Sequence, residues 1–190
     1  SVNTTPTISV NSGSICAGNS FTILPSGANT YTIQGGTFTV SPGSTTSYTV
    51  SGTSAAGCVA ASTATSAVTV NTVPVISVNS GSICAGNSFA IVPSGASTYT
   101  VQGGTYTVSP GSSTSYTVRG ASTAGCLSSN TATSAVTVNT IPVISVNSGS
   151  ICAGSSFTIT PSGASTYTIQ GGTFTVSPGS TTSYTVSGTS

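Results

Sequence analysis

Few side chains in this 190-residue sequence could do chemistry. They are five cysteines, one arginine and a large population of serine, threonine and tyrosine hydroxyls. There is no Asp, Glu, His or Lys. General acid–base catalysis needs a group whose protonation changes near working pH, and an abundant serine is inert without a base to activate it. Calcium and magnesium take carboxylate oxygens. Zinc takes cysteines and histidines at close spacings such as Cys-x-x-Cys, which this chain lacks. The sequence therefore predicts no catalytic residue, no metal ligand and no cofactor, and the protein is read as not an enzyme. The Gly-Gly pairs at 35–36, 103–104 and 171–172 carry neither Gly-x-Gly-x-x-Gly nor a Walker lysine and read as turns.

The cysteines expose the organisation. Cys16, Cys84 and Cys152 each sit in Ile-Cys-Ala-Gly, and Cys58 and Cys126 each sit in Ala-Gly-Cys. Both phrases recur with a period of 68 residues, as do Pro6, Pro74 and Pro142. A fixed period of this size decides the architecture first. The chain divides into residues 1–5, the end of a preceding copy, then copies 6–73 and 74–141, and a third copy, 142–190, without its last two strands. Two pairings compete. Cys16–Cys58 and Cys84–Cys126 would close each copy on itself across 42 residues, for about 4 kcal/mol on the chain-entropy model. Cys58–Cys84 and Cys126–Cys152 would join successive copies. The first is expected, because it repeats as a self-contained unit, and it puts the partner of Cys152 outside the chain. Units this small bury only about 60% of their unfolded surface and often need a staple. Such bonds persist in oxidising compartments, so the expected location is extracellular or on the cell surface.

Composition narrows the partners. Only 1% of residues are charged, against about 25% in ordinary soluble domains. A formal charge of +1 offers no electrostatic footprint for nucleic acid or an anionic membrane. No run of 18 apolar residues suggests direct membrane insertion. An uncharged surface lacks mutual repulsion, which favours the chain itself as partner. Disorder is a poor reading, since Val, Ile, Thr, Tyr and Phe recur at regular intervals.

Alternation sets the fold class. In the first copy the runs at 7–10, 21–24, 30–33, 37–40, 47–50, 59–61 and 67–70 read as seven short strands with turn signals between them. Their apolar positions are Ile8, Val10, Phe21, Ile23, Tyr31, Ile33, Phe38, Val40, Tyr48, Val50, Val68 and Val70, and the alternate positions are mostly Ser and Thr. Period-two patterning at this spacing indicates an all-β protein built of small antiparallel sandwiches. Gln34-Gly35-Gly36-Thr37 predicts a hairpin. Ser41-Pro42-Gly43-Ser44 predicts a type II turn. The joins are short and contain proline, which predicts a stiff row of copies.

The phrases Ile-Cys-Ala-Gly-Asn-Ser-Phe, Pro-Ser-Gly-Ala-x-Thr-Tyr-Thr, Val-Ser-Pro-Gly-Ser-Thr-Thr-Ser-Tyr-Thr-Val and Ala-Gly-Cys resemble the tandem Ig-like (PKD-like) repeats of large secreted surface proteins of Bacteroidota, including gliding-type adhesins exported by the type IX system. The resemblance spans every copy. It implies a β-sandwich, the bonds Cys16–Cys58 and Cys84–Cys126, and an extracellular role in adhesion, motility or filament building. Such repeats often carry Trp where this chain has Ile33, Val101 and Ile169. The expected function is thus structural: a disulfide-stapled array forming a surface fibre, filament or adhesin stalk. The alternative is an adhesive module recognising glycans or a host surface.

Arg119 stands where the other copies have Ser51 and Ser187 and reads as a solvated substitution. Tyr99 and Tyr116 share the period of the buried set and read as core. The Thr-x-Thr words could face ice or glycan, but strand propensity alone accounts for them. Asn3-Thr4-Thr5 is the single sequon. With no carboxylate or imidazole side chain to change protonation on folding, linkage gives little slope in stability. The melting temperature of the oxidised protein should be nearly constant from about pH 3 to 8. Calorimetry across that range checks this, and a fall of many degrees toward acid would refute it.

Overall fold

A computed structural model describes residues 2–190, all of them strand, turn or irregular backbone. Ser1, the first residue of the 1–5 segment, lies outside the described residues. The first copy contains β1 (Ser9–Val10), β2 (Gly13–Cys16), β3 (Phe21–Thr22), β4 (Pro25–Ser26), β5 (Thr30–Ile33), β6 (Thr39–Val40), β7 (Thr46–Thr53) and β8 (Ala64–Asn71). Four of them form one sheet in the order β2-β8-β7-β5. The pairs β1–β4 and β3–β6 form two short antiparallel ladders. The protein is an all-β chain of small repeated β-sandwiches.

Alternation explains the core. Ile23, Ile33, Val40, Val50 and Val68 are buried together, with Ile8, Val10, Ile15, Phe21, Tyr31, Phe38 and Tyr48 packed around them. Ile15 joins this core from the Ile-Cys-Ala-Gly phrase, which the strand runs had passed over. In β8 the inward alternation includes a serine. Ser66 is fully buried, and its Oγ donates to the Asn11 carbonyl at 2.7 Å. Ser134 in the second copy does the same to Asn79. Tyr31 fills core with its ring and closes a loop with its hydroxyl. It accepts from the Ala28 N–H and donates to the Ala28 carbonyl, both at 2.9 Å.

Four local expectations need correction. The Gly35–Gly36 turn is present, with φ of 89° and 80°. The strand after it does not return to β5, however. β6 crosses to pair with β3, with Phe21 opposite Val40, while β5 pairs with β7. A Gly-Gly turn sets a change of direction and leaves the choice of neighbour to side-chain burial. Gly43 does not take the positive φ of a type II turn. The run at 59–61 reduces to a single bridge between Val59 and Thr53. One pairing is parallel: β2 runs alongside β8, from Gly13 opposite Val68 to Cys16 opposite Asn71.

The second copy repeats the first as β9 (Ser77–Val78), β10 (Gly81–Cys84), β11 (Phe89–Ala90), β12 (Pro93–Ser94), β13 (Thr98–Val101), β14 (Thr107–Val108), β15 (Thr114–Ala121) and β16 (Ala132–Asn139). Its sheet order is β10-β16-β15-β13. Tyr106, in place of Phe38, is 46% exposed, so the aromatic position after the Gly-Gly turn lies at the edge of the core. The third copy has β17 (Ser145–Val146), β18 (Phe157–Thr158), β19 (Pro161–Ser162), β20 (Thr166–Ile169), β21 (Thr175–Val176) and β22 (Val186–Thr189).

The chain forms two compact units. One comprises Ser1–Val78, Val92–Gly104 and Thr117–Thr133, and so holds the whole first copy and three segments of the second, residues 74–78 among them. The other comprises Asn79–Ile91, Thr105–Tyr116 and Ser134–Ser190.

Ser66→Ala should destabilise the protein by about 1–3 kcal/mol, because it leaves the part-buried Asn11 carbonyl without its donor. Denaturant unfolding measures this. A change below about 0.5 kcal/mol, the usual range of a surface substitution, would show that Ser66 is not needed there.

Candidate functional site at the cysteine pairs

The reactive chemistry of this chain lies in its cysteines, and strand direction places them. β2 ends at Cys16, beside Asn71 at the last residue of β8. The Ala17 N–H bonds the Asn71 carbonyl at 2.9 Å. The second cysteine lies past the far end of the same sheet. β7 is antiparallel to β8, with Val50 opposite Ala64, and Cys58 follows its last residue, Thr53. There the Ser54 N–H bonds the Cys58 carbonyl at 2.9 Å, and Ser54 Oγ accepts from the Cys58 N–H at 3.1 Å. The length of β8, roughly 24 Å at ~3.4 Å per residue, separates the two cysteines of one copy. A disulfide needs Cα atoms about 4.4–6.8 Å apart.

The expected bonds Cys16–Cys58 and Cys84–Cys126 are therefore not the ones formed. Neither are Cys58–Cys84 and Cys126–Cys152. Cys16 is bonded to Cys126, with Cα atoms 5.6 Å apart and 110 residues between them in sequence. The bond ties the first cysteine of the first copy to the second cysteine of the next, and both lie in the same compact unit. On the chain-entropy model a loop of this length stabilises the fold by about 5 kcal/mol. Cys126 is only 1% exposed.

Cys58, Cys84 and Cys152 are unbonded in this chain; the first is half-buried and the others are exposed. Cys58 occupies the setting of Cys126 one copy earlier. Ser122 holds Cys126 as Ser54 holds Cys58, with bonds of 2.9 and 3.2 Å. Cys84 likewise repeats the position of Cys16, ending β10 opposite Asn139.

The other candidates fall into structural roles. Arg119 lies on the exposed face of β15, opposite Thr100. Tyr99 repeats the Tyr31 loop closure on Ala96 at 2.8 Å, and Tyr116 is half-buried. Asn3 of the sequon is exposed. Many outward hydroxyls pair with one another. Ser9 and Ser26 approach to 2.7 Å, and the equivalent pairs Ser77–Ser94 and Ser145–Ser162 to 2.8 Å. Among the described residues no group of cysteine, histidine or carboxylate side chains could hold a metal, and no helix is long and apolar enough to cross a membrane.

No protein-family model matches the chain, and no curated protein matches it in sequence. Among solved structures it is similar to a Ca²⁺-stabilised adhesin with which an Antarctic bacterium binds ice, at 18% identity and a TM-score of 0.42, covering 76% of this chain and 52% of that one. It is also similar to a 1.5-MDa bacterial ice-binding adhesin, at 19% identity and a TM-score of 0.37, covering 77% of this chain and 70% of that one. A three-domain Ig segment of titin aligns at 12% identity and a TM-score of 0.44, over 88% of this chain and 79% of that one. The chain thus spans about half the length of the first adhesin. At these identities and TM-scores the likenesses carry no functional meaning for this chain.

Arg119 gives a simple check of the pairing, because trypsin can cut the chain only there. The protein is denatured, its free thiols are blocked, and it is digested without reductant. The two fragments should stay joined in the wild type and in Cys84→Ser, and separate in Cys16→Ser. Separation in Cys84→Ser instead would restore the Cys84–Cys126 bond.

Proposed function

We propose that the chain is a structural extracellular element, part of a surface fibre, filament or adhesin stalk whose successive copies are bonded covalently. The observation that carries this reading is the Cys16–Cys126 bond. A bond within one copy would staple an independent domain. A bond from one copy to the next repeats along an array as a chain of cross-links. Moved by one 68-residue period, the same bond would join Cys84, and then Cys152, to the second cysteine of a following copy. It would join Cys58 to the first cysteine of a preceding one. Axial load would then pass through covalent links as well as through packing.

The composition supports the same role. Without carboxylates or imidazoles the array holds its form through changes of pH and salt, and without net repulsion its copies can lie against one another. The disulfide favours an oxidising location outside the cell. The partner in this reading is the repeat itself. Glycans are a candidate only for the alternative, a binding module.

Electron microscopy of the native, unreduced material tests the proposal. Continuous fibres with an axial repeat of a few tens of Å per copy, as strands rising ~3.3 Å per residue allow, are the expected result. Reduction with thiol should loosen or break them. Dispersed single chains, each copy binding a glycan with defined stoichiometry, would favour the adhesive module.

A further inference from the structure

The first two copies part company in one loop beside the disulfide. Residues 127–130, directly after Cys126, read Leu-Ser-Ser-Asn, where the first copy has Val-Ala-Ala-Ser at 59–62. The added polar groups are used. The Asn130 side chain meets both backbone groups of Ile76: its Oδ1 accepts from the Ile76 N–H at 3.0 Å, and its Nδ2 donates to the Ile76 carbonyl at 2.8 Å. One amide thus supplies the pairing that a neighbouring strand would give. The Ser129 N–H adds a bond to the Pro74 carbonyl at 3.0 Å. Ser128 fixes the loop from behind. Its N–H bonds the Gly120 carbonyl at 2.7 Å. Its Oγ accepts from the Gly120 N–H at 3.3 Å and donates to the Asn130 carbonyl at 2.7 Å.

Apolar packing does not distinguish the two copies. A Cβ on Gly120 would lie 2.9 Å from the Ile76 side chain, and one on Gly52 would lie 2.7 Å from that of Ile8. The Ala60 N–H also bonds the Gly52 carbonyl, at 2.8 Å, as Ser128 does Gly120. The amide is the difference. Ser62 has none, and among the described residues no hydrogen bond joins residues 60–62 to residues 6–8.

We propose that Asn130 is a positioning residue for the Cys16–Cys126 bond, latching the Cys126 loop onto Ile76 so that Cys126 is presented to Cys16 before the two are joined. Chain connectivity carries the argument. The β2–β8 ladder sets Cys16 opposite Asn71, and Ile76 follows Asn71 by five residues. Asn130 follows Cys126 by four. With both contacts made, the chain left to close between the cysteines shrinks from 110 residues to two short stretches, 72–75 and 127–129. The entropic cost of closure grows with loop length, and holding two groups near each other raises their effective concentration. Ile76 is only 3% exposed, so the contact is anchored on a core residue. All of these residues belong to one compact unit. The inference rests on the Cys16–Cys126 bond itself and does not require the fibre reading.

The test uses the 190-residue protein with Cys58→Ser, Cys84→Ser and Cys152→Ser, which leaves one pair of thiols. The protein is equilibrated with reduced and oxidised glutathione under native conditions. Cys16 and Cys126 give two electrons and two protons to one glutathione disulfide, which leaves as two thiols. The equilibrium constant measures the effective concentration of the pair. Asn130→Ser, which places the first copy's residue in the loop, should lower it roughly tenfold through loss of the two bonds to Ile76. Ser66→Ala weakens the fold without touching the latch and should leave the constant within about twofold. A second measurement needs no folded reduced state. In the oxidised protein the Ile76 amide should exchange roughly tenfold faster in Asn130→Ser than in the parent. An unchanged constant, an equal fall in Ser66→Ala, or an unchanged Ile76 amide overturns the proposal.

Discussion

The position of a single strand governs each sandwich. β8 lies between β2 and β7, parallel to one and antiparallel to the other, and it carries Val68 and Ser66 into the centre of the core. Burying a valine is worth about 1.5–3 kcal/mol. The larger effect is cooperative, because β8 gives two other segments something to pair with. In residues 142–190, a stretch that does not extend to the corresponding strand, nearly the same sequence leaves residues 149–152 and 182–185 outside any strand. Local propensity is unchanged between the first and third copies, so the difference belongs to tertiary context.

The direction of β8 relative to β2 also determines the covalent structure. Parallel pairing carries the Ile-Cys-Ala-Gly phrase to the end of the sheet at which the chain leaves the copy. The Ala-Gly-Cys phrase stays past the opposite end. One copy therefore holds its two cysteines a full strand length apart. The bond that forms is Cys16–Cys126, which spans 110 residues. With one charged side chain in the whole protein, cohesion rests on apolar burial, backbone ladders, hydroxyl pairs such as Ser9–Ser26 and this bond.

Much of the fold was legible. Period-two alternation picked out Ile23, Ile33, Val40, Val50 and Val68, which are the buried cluster. The 68-residue repeat located equivalent elements in residues 6–73 and 74–141. What alternation could not reveal was which strands pair. Inward-facing residues are the same whether β6 returns to β5 or crosses to β3, and whether β2 runs parallel or antiparallel to β8. The cysteine pairing depended on that choice, so the intra-copy expectation failed together with the hairpin. Ser66 was missed for a different reason. Its type reads as surface, and only the Asn11 carbonyl, 55 residues away, makes it a core residue.

The span of the Cys16–Cys126 bond has a consequence for the order of events during folding. Two other cysteines, Cys58 and Cys84, lie between its partners. As a chain emerges from its N-terminus, Cys16 meets Cys58 long before Cys126 exists, and thiol–disulfide chemistry by itself favours the partner that arrives first. A correct outcome requires noncovalent structure to come before oxidation. Closure of β8 onto β2 fixes Cys16 at one end of the sheet and denies it to Cys58 at the other. Conformation then selects the bond, and the bond records that two successive copies had both folded when it formed. An oxidant acting too early would instead lock the chain in the nearest pairing, and recovery would take thiol exchange at the rates of seconds to hours that such reshuffling needs.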